Sequence, residues 1–543
     1  MRFIWNKHKA FELYENQEFF FRGSFFYDDN IYEYDNIQVI YSLLKKCNKD
    51  EVVNKVSKFN GNFLLGIKLS DEWMVFSDKI ASFPLYWNCC DNEVTVSDNV
   101  DALVKKTNGK LKFDNIGLLE IASTTYTYGN RTIWEGVFCL GPGEYLEYSL
   151  GKKTYKKGTY YVHSHIEEKK HKSIEAYVDD LKIVIDNVFS RLIKRLNGRQ
   201  AVLFLSGGYD SRLICQQLSV KGYKNVVCVS LRSSDDLDVK VGREIADYFG
   251  YKLVTVDYTS KVWNAKSRKE NFWENIAKIS NGVNIPYYMQ GMIIKDLVDK
   301  KVIDKDAVIM TGNSGDVVEG NDVFEASSFD GEYSKSQIKK KITDEHLQNI
   351  YSKKDVKTIV YNELEHVFYQ DKYSKDIFTF EEAQDIYEYY NWYNRQCKYV
   401  TSDVRNYDDL SGNEWALPLW DDEFVQFWLK VPMALRYKRK LYYQYVNEDA
   451  LPTANIDTLF LKFRRIFFRY FSILWKWIYL IRMFIGFNGN NMLYCWVGAL
   501  TFKEKTKFLW KTRWHKTSAM SAVMWKIFRI NYGIDIFEVT KKI

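Results

Sequence analysis

The chain has 543 residues, 46% of them hydrophobic and 27% charged, and a formal net charge of +7. Such a length exceeds what one hydrophobic core can organise, so two to four structural units are expected from an otherwise ordinary globular composition. The charge excess is too modest for wholesale nucleic-acid binding, and eight cysteines without a Cys-x-x-Cys pair speak against both a zinc site and a disulfide framework.

The opening MRFIWNKHKAFELYENQ interleaves charges with aromatics and has no uninterrupted apolar run of the kind an export signal needs, so a cytoplasmic protein is expected. Residues 1–155 alternate short aromatic or β-branched runs with turn residues, as in FNGNFLLGIKLSDEWMVFSDKIASFPLYWN and TIWEGVFCLGPGEYLEYSL, which predicts a sheet-rich first domain. Residues 151–173 are polar, with little to bury, and read as an exposed connection. The connection carries His163, His165 and His171, which read as part of a solvated linker rather than as a metal site.

From 174 to 450 the pattern becomes strands separated by helical lengths. AVLFL, NVVCVSL, KLVTVDY and AVIMTG are short, continuous and β-branched, as doubly buried parallel strands are, and LDVKVGREIADYFG has amphipathic helical spacing. The expectation is an α/β domain with a mostly parallel sheet. A third region, 455–543, is basic, aromatic and helical in pattern.

In AVLFLSGGYDSRLI the first of these strands runs into a helix through Ser206-Gly207-Gly208. A strand-to-helix turn leaves backbone N–H groups unpaired at the positive end of a helix dipole, a place that attracts an anion. Two glycines let a phosphate approach, and Ser206 and Ser211 offer hydroxyls. Asp210 would repel a bare phosphate, but with Mg²⁺ between them the two become complementary. A plain glycine turn capped by Asp210 is the alternative for this segment alone. TGNSGDVVEG, 311–320, follows another buried strand and brings a second acid, Asp316.

These motifs, in this order, resemble the glutamine-hydrolysing asparagine synthetase family over residues 59–446. FNGNFLLGI, FSDKIASFPLYW and TIWEGVFCLGPGEYL resemble the strand, hairpin and closing segment of its first domain. SGGYDS and TGNSGD match its two synthetase loops, and LPLWDDEFVQFWLKVPMALRYKRKLYYQY resembles its P-F-L-D helix and downstream lysine. The resemblance implies an Ntn-like α+β sandwich of the class II glutamine amidotransferase type, then an adenine-nucleotide α-hydrolase-like parallel-sheet domain with a PP-loop, then a helical extension. It implies that Leu205, Ser206, Gly207, Gly208, Asp210 and Ser211 hold ATP and its pyrophosphate. Val229 would pack on adenine, and Thr311 and Gly312 would touch the nucleotide from the other side. Asp210 and Asp316 would bind Mg²⁺, and Lys440 would neutralise charge as a carboxylate is adenylated. The implied reaction joins a carboxylate to ammonia or an amine, releasing AMP and pyrophosphate.

The chain departs from that family in four places. Arg2 stands where the glutaminase cysteine belongs, and Cys47 is too far inside the chain to substitute, so the first domain is expected to be a shell without glutaminase activity. H-R-G-P-D and N-G-E motifs are missing before residue 55. Asn313 replaces an acid that helps deprotonate the amine, and Ala416 replaces an arginine. Asparagine is no base at neutral pH, which argues against free aspartate as acceptor. A sugar acid of surface-polysaccharide synthesis is one alternative carboxylate. In the aromatic stretch 392–428, Arg395, Lys398 and Arg405 either meet an acidic substrate or form ordinary salt bridges.

Between Thr458 and Lys503 there is no acid, and Lys462, Arg465, Arg469 and Lys476 share one helical face. A spanning helix is disfavoured, because Lys476 near mid-bilayer costs about 2.5–3.5 kcal/mol. Two readings of 459–487 stay open: a helix in the headgroup layer at the inner face of the membrane, or one packed on the second domain. For the whole chain, the ligase reading stands against a catalytically silent nucleotide- or partner-binding pseudoenzyme. A tRNA-modifying enzyme is disfavoured by the lack of catalytic cysteines and an RNA-binding domain.

Overall fold

A computed structural model describes residues 1–448 except 7, 9, 91–92, 107–110, 167–171, 207, 232–236, 257–259, 270–271, 281, 286–287, 314, 321–330, 348–353 and 369–372, and beyond them 501, 503–504, 506–507 and 519–535. The segment 459–487 therefore lies outside the described residues, as does His171.

The first domain stacks two sheets. One has the order β1 (Arg2–Ile4), β8 (Glu93–Ser97), β7 (Tyr86–Cys90), β9 (Val137–Cys139). The other runs β11 (Thr154–Thr159), β10 (Glu144–Ser149), β6 (Glu72–Ser77), β5 (Asn60–Leu69), β3 (Phe19–Tyr27), β2 (Tyr14–Glu15), with β4 (Asn30–Tyr32) paired to β3. Period-two alternation sorts the side chains. Phe19, Phe21 and Phe25 of β3 join Phe63, Leu65 and Ile67 of β5 beneath the helices Gln38–Leu44 and Lys49–Val56, while Phe20 and Leu64 face the other sheet. Gly66 is required opposite Phe20, because a Cβ there would lie 2.1 Å from the ring. The outer face of the four-stranded sheet is covered by Val100–Lys106 and Asn115–Thr124, and by Met524, Trp525 and Phe528 of the helix Ala519–Asn531. The result is helix, sheet, sheet, helix, as the sequence led one to expect.

FSDKIASFPLYW is not the hairpin expected from its sequence: it crosses from β6 in one sheet to β7 in the other, and one buried acid organises the crossing. Asp78 accepts from the backbone N–H of Phe63 (2.8 Å), Ile80 (2.9 Å) and Ser82 (3.1 Å), and from the Ser82 hydroxyl. The acid thereby satisfies two N–H donors of the crossing, Ile80 and Ser82, and ties them to Phe63 in β5.

The second domain carries five parallel strands in the order β14 (Lys252–Thr255), β13 (Val226–Ser230), β12 (Ala201–Phe204), β15 (Val308–Met310), β18 (Trp415–Ala416). Four of these are the strands read from sequence. β18 is only two residues long, too short for any periodic signal. A small pair, β16 (Tyr333–Ser334) with β17 (Ile377–Phe378), lies apart from this sheet. The molecule is mixed α/β, and among the described residues no helix is long and apolar enough to cross a membrane.

The connection after β11 is not exposed throughout. His163 is buried and stacks on Trp392, and the His165 N–H and Ser164 hydroxyl donate to Asp385. Polar residues there bury themselves by pairing with one acid of the second domain, which composition alone does not show. Burial and the nearby Arg436 push the His163 pKa down to about 3, so the ring is neutral.

Candidate functional site

β12 ends at Phe204, and the helix Tyr209–Val220 begins with Gly208 at its N-cap, where no side chain satisfies the first N–H groups. Ser206 and Ser211 close the intervening turn. The Ser206 N–H donates to the Ser211 hydroxyl (3.2 Å), and the Gly208 N–H donates to the Ser206 hydroxyl (3.2 Å). Chain order turns back on itself between β12 and β15, so the loops leaving these neighbouring strands diverge and open a crevice at their carboxyl ends. A cleft of about 270 Å³ lies there. It is lined by Leu205, Ser206, Gly208, Asp210 and Ser211 after β12, by Val229, Ser230 and Leu231 at the end of β13, by Thr311, Gly312 and Asn313 after β15, and by Gln290.

The structure thus gathers Leu205, Ser206, Gly208, Asp210, Ser211, Val229, Thr311 and Gly312 around one space. Gly207 lies outside the described residues, as does the side chain of Asp316, whose backbone belongs to the short helix Gly315–Val318. The two loops touch at Asp210. A Cβ on Gly312 would sit 2.9 Å from Asp210 Cβ, and one on Gly315 3.2 Å from Asp210 Cγ. Glycine at both positions is a matter of space.

The described residues fit a nucleotide. Thr311 Oγ1 is buried at the cleft with no hydrogen-bond partner, the helix start offers N–H groups without a capping side chain, and Val229 supplies apolar surface. For Mg²⁺ they offer one described carboxylate, Asp210.

The cation beside that carboxylate is Arg439, not Lys440. Lys440 is exposed, whereas Arg439 is 8% exposed and its guanidinium bonds both Asp210 and Glu319. Two consecutive non-glycine residues in the left-handed region, Lys438 (φ 53°) and Arg439 (φ 57°), turn that side chain inward. Such backbone costs about 1–3 kcal/mol per residue and persists only where its surroundings enforce it. Burial works against the charge of Arg439, and Glu319 and Asp210 more than offset this. In Lys438-Arg439-Lys440 nothing local marks the inward residue; Glu319 and Gln290 likewise carried no sequence signal.

In the first domain, Arg2 lies on β1 opposite Thr95 of β8. Cys139 is buried, which pushes its thiol pKa up. Cys47 donates its thiol hydrogen to the Leu43 carbonyl of the preceding helix. Cys89 and Cys90 are exposed at the end of β7. Of the three basic residues in the aromatic stretch, Lys398 is structural, its ammonium donating to the carbonyls of Thr127 (2.7 Å) and Gly129 (2.5 Å).

Residues 39–161 match the family model of a glutamine amidotransferase domain. No curated protein sequence matches the chain. Among solved structures, a glutamine phosphoribosylpyrophosphate amidotransferase from B. subtilis, complexed with ADP and GMP, aligns at 11% identity and a TM-score of 0.19, over 56% of this chain and 64% of its own. A structure described as the allosteric regulatory enzyme of purine biosynthesis aligns at 12% identity and a TM-score of 0.19, over 45% of this chain and 61% of its own. The chain spans less than two thirds of either, and at that TM-score neither alignment bears on the fold or the function.

Proposed function

We propose that the chain is an ATP-dependent amide-forming ligase whose second domain activates a carboxylate and whose amidotransferase-type first domain has no glutaminase activity of its own. The observation that carries this reading is the meeting of two strand-end loops on Asp210 at the sheet's reversal point, around a cleft with the buried unpartnered hydroxyl of Thr311. In this reading the Ser206–Ser211 turn holds the phosphates, Val229 the adenine, and Thr311 and Gly312 the opposite side of the nucleotide. Mg²⁺ accompanies ATP, with Asp210 and Asp316 as its carboxylates, and offsets phosphate charge. The substrate carboxylate attacks the α-phosphorus, pyrophosphate leaves, and ammonia or an amine then displaces AMP. Adenylation is needed because a carboxylate is a poor electrophile at neutral pH, and fixed cations near the phosphates stabilise the charge that builds as pyrophosphate departs.

Lys440 and Arg439 share the cationic role in this proposal, Arg439 already beside Asp210 and Lys440 one residue on. With Asn313 at the cleft, the amine must arrive deprotonated or lose its proton elsewhere, which favours an acceptor other than free aspartate, such as a sugar acid. The region 459–487, rich in cations and free of acids, is proposed to touch an anionic membrane surface from the cytoplasmic side.

One observation favours a second reading. Arg439 already occupies the carboxylate that a metal would need, as expected of a silent nucleotide- or partner-binding descendant. Pyrophosphate release with MgATP against a panel of carboxylates, including sugar acids, separates the two. Release with at least one acid supports the ligase; ATP binding without release from any acid sinks it in favour of the second reading.

A further inference from the structure

A second cavity lies away from the nucleotide cleft. It measures about 700 Å³ and sits between the first-domain helix Val100–Lys106 and the helices Phe272–Ser280 and Met289–Asp299. The helix Met289–Asp299 separates the two spaces: Gln290 lines the cleft, whereas Met292 and Lys295 line the cavity. A volume of this size is in the range of small-molecule sites, about 300–1,000 Å³.

Its walls differ in character. Phe272, Ile276, Ile279 and Met292 form an apolar side. Arg405 stands on the polar side, 8% exposed. Its one ion pair among the described residues is with Asp409 at 3.6 Å, beyond hydrogen-bond length, and its guanidinium makes no hydrogen bond to any described residue. Arg405 is buried as a residue but lines the cavity, and a guanidinium that makes no hydrogen bond within the described protein presents its planar donors to that space. The other acids do not serve it. Asp98 is taken by Arg22 (2.7 Å), by His8 (3.2 Å) and by the Asn6 N–H (3.0 Å), and Asp408 by His8 (3.0 Å) and the Ala10 N–H (3.0 Å). Asp101 and Lys105, four residues apart on the helix Val100–Lys106, also line the cavity.

We propose that this cavity binds a small organic acid, whose carboxylate takes the free edge of the Arg405 guanidinium while its hydrocarbon body lies against Phe272, Ile276 and Met292. A carboxylate matches the planar donor fork in a way that an amide or alcohol does not. The site is independent of the nucleotide reading: it stands or falls whether or not ATP enters the cleft.

Calorimetric titration of the full chain with phenylacetate, hexanoate and succinate tests it, with phenylacetamide as neutral counterpart and inorganic phosphate as a competing anion. At least one acid binds in the millimolar range or tighter, and the amide binds tenfold or more weakly. Arg405→Gln weakens that acid at least tenfold. Arg405→Lys keeps the charge without the fork and falls between. Ala102→Phe narrows the cavity from the opposite helix with Arg405 intact and removes binding, so the test holds even where Arg405→Gln fails to fold. Silence with all three acids, equal affinity in Arg405→Gln and Ala102→Phe, or phosphate binding as tightly as the acids overturns the proposal.

Discussion

The imidazole of His8 stands 3.0 Å from the carboxylate of Asp408, and its other nitrogen 3.2 Å from Asp98. Asp98 in turn holds Arg22 inside the first-domain sandwich. One short chain of charges therefore runs from the core of the first domain to the second, and it closes only when His8 is protonated. Burial alone lowers the His8 pKa, but the hydrogen bonds to Asp408 and Asp98 reverse this and lift it from 6.5 to about 9.

Because the folded pKa is the higher one, the stabilisation is complete below about pH 6.5 and is lost as pH rises through 9, and it amounts to about 3 kcal/mol at most. Urea unfolding of the full chain between pH 6 and 9.5 is expected to show the midpoint falling over that window. His8→Asn flattens the fall. Parallel curves for the two proteins would show that the charge chain does not couple to stability.

Asp210 sits in the first turn of its helix, where the two loops meet. Asp210→Asn is expected to reduce pyrophosphate release about a hundredfold or more, while the circular dichroism spectrum stays that of the parent. Gly312→Ala should approach the same loss without removing any charge, since its methyl group would displace Asp210. Undiminished release by either variant defeats the assignment of this loop.

Arg439 links Asp210 to the fully buried Glu319. Removing the guanidinium leaves two acids facing each other, one of them without access to water. Arg439→Ala should therefore cost about 3–5 kcal/mol of stability, and Arg439→Lys clearly less. Glu319→Gln with Arg439→Ala should recover part of the loss, because the stranded charge is gone. Thermal melts of the three variants decide this, and a double variant no more stable than Arg439→Ala argues against the pairing as its cause.

For the segment 459–487, co-sedimentation with vesicles is the direct measurement. Vesicles containing phosphatidylserine are expected to carry the full chain down at low salt and to release it near 0.5 M salt, while neutral vesicles do not bind it. Removing residues after Leu459 should abolish the binding. Full-length protein that ignores anionic vesicles rules the contact out.

The sequence alone determined much of this protein. The runs AVLFL, NVVCVSL, KLVTVDY and AVIMTG became β12, β13, β14 and β15, because a strand buried on both faces must be apolar throughout and short. The loops after β12 and β15 were equally legible as turns, since glycine, serine and aspartate cannot continue a doubly buried apolar strand. Only the tertiary structure decided what approaches them. Arg439 rather than Lys440 reaches Asp210 because of two left-handed residues, a backbone choice that three adjacent basic residues do not encode locally. The same holds for β18, for His163 buried on Trp392, and for His8 bridging acids 90 and 400 residues away. Local pattern fixes which faces are apolar and where the chain turns, whereas pairings between distant charges depend on how those faces close on one another.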